Sequence, residues 1–257
     1  MCELFGLSSA QPVPLAPLLA EFAQRGGATA DNPDGWGVAY RETDRFVLDK
    51  EPVRGASSAR LAALARTLHA GLVIAHVRKA DPPTALTLAN THPFVRACCG
   101  LDWAFAHNGK IPEILGPASC CPPRQCHYAG ATDSEQAFCY LLQEIARVFP
   151  QAGDPVDGDW FTAAAATSEL IATHGQFNFL LSDGVHLIAH AHDRLHGARL
   201  EIGDAAVAVV ASEPLGAVGP WQSLGPRRLH VYRAGVPLVS LETSGAPRPA
   251  VGSNQVH

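Results

Sequence analysis

The chain has 257 residues, 47% hydrophobic and 17% charged, which allows a substantial core in one large domain or two small ones. A formal net charge of −5 with no long run of one sign gives no footprint for nucleic acid or an anionic membrane. No apolar stretch approaches the roughly 20 residues that span a bilayer, and Met1-Cys2-Glu3-Leu4-Phe5-Gly6 lacks the basic-then-apolar pattern of a secretory signal, so the cytoplasm is the expected compartment.

Residues 2 to 8 read as a short buried strand. Residues 13 to 24 form a helix ended by Arg25-Gly26-Gly27. Asp34-Gly35 is a turn before the strand Trp36 to Tyr40, and a second strand lies near Phe46 to Leu48. Leu61, Leu64 and Leu68 repeat at helical spacing, and Gly71 to Val77 and Trp103 to His107 are apolar runs suited to buried strands. The stretch 109–131, rich in Pro, Gly and Cys, reads as a long loop. Thr132-Asp133-Ser134-Glu135 then matches a capping box, opening a helix with Phe138, Leu141, Leu142, Ile145 and Phe149 on one stripe. A helix near 160–173 precedes strands at 176–182, 185–191, 206–211 and 228–233. From about Ser244 the polar sequence reads as a loose tail. Strands and helices mix without βαβ alternation, which favours stacked sheets with helices outside over a doubly wound sheet.

Several side chains could carry chemistry. Removal of Met1 would give Cys2 a free α-amine, so one residue would supply a nucleophilic thiol and a base whose pKa of ~8 leaves it partly neutral. Read alone, Cys2 is more often a small buried hydrophobe. His107-Asn108-Gly109 ends a strand. An Asn amide and a Gly N–H can aim two donors at a developing oxyanion, though an isolated Asn-Gly is more often a turn. Arg78, after the strand 71–77, could grip a carboxylate with both arms of its fork. Asp133 could hold an ammonium, or could simply complement the helix dipole. His92, in Asn90-Thr91-His92-Pro93-Phe94, could orient a neighbouring loop, or be a structural histidine. Seven cysteines, an odd number, argue against a disulfide framework. Adjacent pairs such as Cys98-Cys99 and Cys120-Cys121, with Cys126-His127 beyond, fit zinc spacing poorly, so no metal site is expected.

Taken in order, Met1-Cys2-Glu3-Leu4-Phe5-Gly6, Arg25-Gly26-Gly27, Asp34-Gly35-Trp36-Gly37, His76-Val77-Arg78, Asn90-Thr91-His92-Pro93-Phe94, His107-Asn108-Gly109 and Thr132-Asp133-Ser134-Glu135 resemble the class II glutamine amidotransferases. The likeness is nearest to the small stand-alone, YafJ-type members, and is softer after residue 150. It implies an α+β fold, the four-layer αββα sandwich of the N-terminal-nucleophile (Ntn) hydrolases, as one domain over 2–257 with its motifs in 2–150. It further implies that Cys2 attacks glutamine or another γ-glutamyl amide to form a thioester, and that Asn108 and Gly109 form the oxyanion hole. Arg78 and Asp133 would bind the substrate's α-carboxylate and α-ammonium, and Arg25 would help hold the Cys2 region. No cofactor is implied. Lys79 stands where sugar-amine-forming members have Trp. No synthase segment remains in the chain, so a partner takes the ammonia or the enzyme is a hydrolase. The competing readings are an Ntn acylase of a non-glutamyl amide, and a non-catalytic thiol- or zinc-binding protein.

Overall fold

The computed structural model describes residues 1–82, 84–112, 127–149 and 158–243. Seven strands form the first sheet: β1 (Glu3–Pro14), β2 (Trp36–Glu42), β3 (Arg45–Glu51), β4 (His69–Val77), β9 (His196–Ile202), β10 (Ala205–Ala211) and β11 (Gln222–Ser223). Their order is β11-β9-β10-β1-β4-β2-β3. Six strands form the second: β5 (Phe94–Cys98), β6 (Leu101–Asn108), β7 (Asn178–Ser182), β8 (His186–Ala191), β12 (Arg228–Arg233) and β13 (Val236–Glu242), in the order β13-β12-β8-β7-β6-β5. Every pairing between them is antiparallel.

The alternation of each strand explains the layers. On β1, Phe5 and Leu7 join a core with Leu18, Leu19 and Phe22 of helix α1 (Ala16–Gln24) and Leu61 and Ala65 of helix α2 (Ala59–Thr67). Leu4 faces the other way, into a core between the sheets with Ile74, Ala104, Ala106, Leu180 and Ala189. Gly6 shares that face, where an added Cβ would lie 3.0 Å from Leu180 Cδ1. The outer face of the second sheet packs Trp103, Phe105 and Phe179 against Phe138 and Leu141 of α3 (Asp133–Ala146) and Trp160 and Ala164 of α4 (Trp160–Ala172). The result is an αββα sandwich.

The sequence reading differs in places. β1 runs on to Pro14 because Val13 and Pro14 pair with Ala70 and His69 after an irregularity, so α1 starts three residues later than expected. Strands β5, β9, β11 and β13 were not anticipated. Only half of the capping box forms. Thr132 Oγ1 accepts the Glu135 N–H at 3.2 Å, but the Glu135 carboxylate reaches past Thr132 to the N–H groups of Ala129 and Gly130 at 2.9 and 2.8 Å. Cys98 and Cys99 are free thiols, whereas Cys139 is disulfide-bonded, so at that position the expectation of no disulfide pairing does not hold. Cys120, Cys121 and Cys126, most of the 109–131 loop and the tail from 244 lie outside the described residues.

Candidate active site

Two strand ends and two loops meet at one end of the sandwich. Cys2, just before β1, has the parity of Leu4 and faces the gap between the sheets. The pairing of Glu3 with Val77 brings Arg78 and Lys79 alongside it. On the second sheet, Asn108 ends β6 with the same parity as Ala104 and Ala106. A cleft of about 360 Å³ opens here, lined by Cys2, Arg78, His92, His107, Gly109 and Asp133, among others.

The half-buried Cys2 thiol is held by one residue. Its Sγ accepts the Lys79 N–H at 3.2 Å and donates to the Lys79 carbonyl at 3.3 Å. Burial raises its pKa, and the Lys79 N–H, the positive N-terminus and Arg78 offset this only partly. A thiol in such surroundings is inert until a base takes its proton. The Lys79 side chain turns away to Asp31, with Nζ donating to Oδ2 at 2.5 Å.

Arg78 is almost fully buried, and both of its terminal nitrogens donate to the Ala85 carbonyl at 3.4 Å. These bonds are long, and among the described residues no carboxylate forms an ion pair with Arg78. Asp133 accepts with both oxygens: Oδ2 takes the Ile111 N–H at 2.8 Å, and Oδ1 takes the Ser134 N–H at 2.8 Å. Thr132, not Asp133, is the N-cap. Asn90 links the two. Its Nδ2 donates to Ala85 O at 3.1 Å, the carbonyl that Arg78 uses, and its Oδ1 accepts the Ala131 N–H at 2.9 Å, two residues before Asp133.

Asn108 is fully buried. Its Nδ2 donates to Ser212 Oγ at 3.3 Å, and its Oδ1 has no partner. The Ser212 hydroxyl also accepts the Leu4 N–H at 3.0 Å, so one oxygen ties the nucleophile strand to this amide. Half a turn of the amide would let Ser212 donate to Oδ1 and leave Nδ2 in the unpartnered place, as an oxyanion donor requires. Gly109 has φ of +148°, and an added Cβ would lie 2.0 Å from the Gln176 carbonyl, so no other residue fits.

Three buried histidines lie beneath the cleft. His92 Nδ1 is 3.2 Å from His76 Nε2, and His107 contacts Ser134 Oγ at 2.8 Å and Gln176 O at 3.0 Å. Burial lowers the pKa of each, that of His76 to about 3. They are neutral at physiological pH and add no charge to the site. Lys50 holds the turn above them, donating to Thr91 O at 2.7 Å, and burial lowers its pKa to about 8. Arg25 donates to the Pro214 carbonyl at 2.9 Å and forms a 3.7 Å ion pair with Glu3, next to Cys2.

The structure thus gathers Cys2, Arg78, His92, Gly109 and Asp133 around one cleft, with Asn108 and Arg25 behind it. Sequence reasoning gave no role to Ser212 or Lys50, and left Asn90 as part of a turn. Asn90 could have been found from its place in a compact polar motif. Ser212 carries no local signal. Among the described residues, no group of three His, Cys, Asp or Glu side chains could hold a metal ion, and no helix is long and apolar enough to cross a membrane.

A family model described as class II glutamine amidotransferases matches residues 1–201. The chain belongs to the class II glutamine amidotransferases. This class II chain is 30% identical over 260 residues to YafJ of Escherichia coli K12, a match covering 91% of this chain and 98% of that one. It is 34% identical over 201 residues to a Haemophilus influenzae protein named as a glutamine amidotransferase, covering 76% of this chain and 65% of the relative, which therefore extends well beyond the match. The 2.0 Å crystal structure of a predicted glutamine amidotransferase from Pseudomonas aeruginosa PA01 aligns with a TM-score of 0.66 at 28% identity, covering 93% of this chain and all of that one. These matches support the Ntn-type αββα sandwich.

Proposed function

We propose that this amidotransferase-family chain acts as one domain, in the cytoplasm, to cleave glutamine or another γ-glutamyl amide with Cys2 after Met1 is removed. The observation that carries the reading is the shared cleft, in which the Cys2 thiol faces a cationic Arg78 and an anionic Asp133, the pair of charges an amino acid head group needs. An acylase of a non-glutamyl amide has no use for that pair.

The steps follow from the groups present. The Cys2 α-amine takes the thiol proton, and Sγ attacks the γ-carbonyl carbon. The carbonyl oxygen becomes an oxyanion met by the Asn108 amide and the Gly109 N–H. The amine returns the proton to the leaving nitrogen, the C–N bond breaks, and ammonia or an amine departs. Water then attacks the γ-glutamyl thioester, releasing glutamate and restoring the thiol. No cofactor enters. The ammonia either diffuses away or passes to a separate synthase partner.

A panel of γ-glutamyl amides, glutamine among them, tests the reading with the purified protein and its Cys2→Ser variant. Ammonia or amine release by the parent and none by the variant is expected. Equal release by both, or full activity in protein that retains Met1, would overturn it.

A further inference from the structure

Ser9 lies seven positions along β1 from Cys2, about 23 Å at the rise of a strand. At that far end the two sheets part again, into a second cleft of about 330 Å³. Ser9, Arg41 on β2 and Gly71 on β4 line it from the first sheet. Gly184 in the β7–β8 turn and Arg233 at the end of β12 line it from the second. No acidic side chain lines it.

Two of these groups lack what burial normally demands. Arg41 Nη1 is buried with no hydrogen-bond partner, and no carboxylate pairs with Arg41 among the described residues. Its guanidinium carbon lies 5.9 Å from the centre of the Phe46 ring, a contact that attracts the charge but accepts no N–H proton in the plane of the fork. Ser9, 9% exposed, also carries a buried, unpartnered Oγ. A buried donor left unmade is costly, and more so when charged.

The backbone keeps room for the guanidinium. Gly184 has φ of +94°, which favours glycine, and its missing Cβ leaves the space, 2.8 Å from Arg41 Nη1, in which the fork lies against this turn.

We infer that this cleft binds a small oxyanion, a phosphate- or carboxylate-bearing metabolite, held by Arg41 with Ser9 beside it and Arg233 across the gap. A planar fork with open donors matches two oxygens of either group. The site is separate from the Cys2 cleft and owes nothing to the proposed amide cleavage.

Isothermal titration of the full chain with inorganic phosphate and, separately, with succinate tests it, at ionic strength held constant with sodium chloride. Saturable binding of at least one probe is expected, and which probe binds tells phosphate from carboxylate. Arg41→Met should weaken that binding at least tenfold while melting no lower than the parent without ligand. Arg41→Lys, which keeps the charge but not the fork, should also weaken it, as should Ser9→Ala to a smaller extent. No saturable binding of either probe, or unchanged affinity in Arg41→Met and Arg41→Lys, overturns the inference.

Discussion

Asn108 and Ser212, 104 residues apart, meet through a 3.3 Å contact between Nδ2 and Oγ, and the same hydroxyl accepts the Leu4 N–H. Ser212 therefore sets both where β1 starts and how the Asn108 amide is turned. Ser212→Ala should lower kcat for glutamine with little change in KM, by less than the ~10²–10³ lost with an oxyanion donor itself. It should also cost about 1–3 kcal/mol of stability, because the buried Leu4 N–H loses its acceptor. Ser212→Thr, which keeps the hydroxyl, should recover most of the rate. Steady-state kinetics and urea unfolding on both variants check this, and a pure KM effect would remove Ser212 from the oxyanion side.

Binding and chemistry should separate at the clamp. In the proposed clamp Arg78 and Asp133 hold the part of the substrate that does not react, so Asp133→Asn should raise KM for glutamine more than it lowers kcat. Asn108→Ala should do the reverse, with a loss of ~10²–10³ in kcat. Asp133→Asn also carries a folding cost, since Asn offers one oxygen where Asp133 accepts from both Ile111 and Ser134. About 1–3 kcal/mol is expected if the Ile111 N–H is orphaned. Asn90→Ala should mimic the KM effect, because it frees Ala85 and Ala131 together. Normal glutamine binding by Asp133→Asn would reduce Asp133 to a structural residue.

Much of the fold was legible where burial and local signals agree. Trp36 to Tyr40, Gly71 to Val77 and Trp103 to His107 lie in the structure as strands because both of their faces are covered. β9 and β13 escaped notice as half-exposed strands near or at sheet edges, β13 with Pro237 inside it, so their patterns look like loop sequence. The site divides in the same way. Cys2, Arg78, Asn108 and Asp133 stand in short motifs, each at the end of a strand or the start of a helix. Ser212 has meaning only once β10 pairs with β1, and the neutral state of His76 and His92 only once the sheets close over them.

Those buried histidines give the protein an acid limit. The pKa values of His76 and of His190, a fully buried residue of β8 whose Nδ1 lies 2.6 Å from Phe177 O, fall from about 6.5 to about 3 on folding, mainly through burial. Below pH 6.5 the unfolded chain takes up protons that the folded chain refuses. Stability is therefore whole above pH 6.5 and lost as the pH falls through the window toward 3. Each of the two should cost roughly 2 kcal/mol between pH 6.5 and pH 5, above the range where most carboxylates titrate. Urea midpoints measured at half-unit steps from pH 7.5 to pH 5 would show a steady fall. A flat series would mean that these imidazoles gain protons without unfolding.

The role of Cys2 is tested most directly by treating the purified protein with a glutamine-mimicking diazoketone and reading the labelled digest by mass spectrometry. The expected result is one equivalent of label, on Cys2 as the first residue with Met1 absent, blocked by excess glutamine. Label on Cys98 or Cys99, or on the cysteines at 120, 121 and 126, or labelling that glutamine does not slow, would contradict Cys2 as the nucleophile.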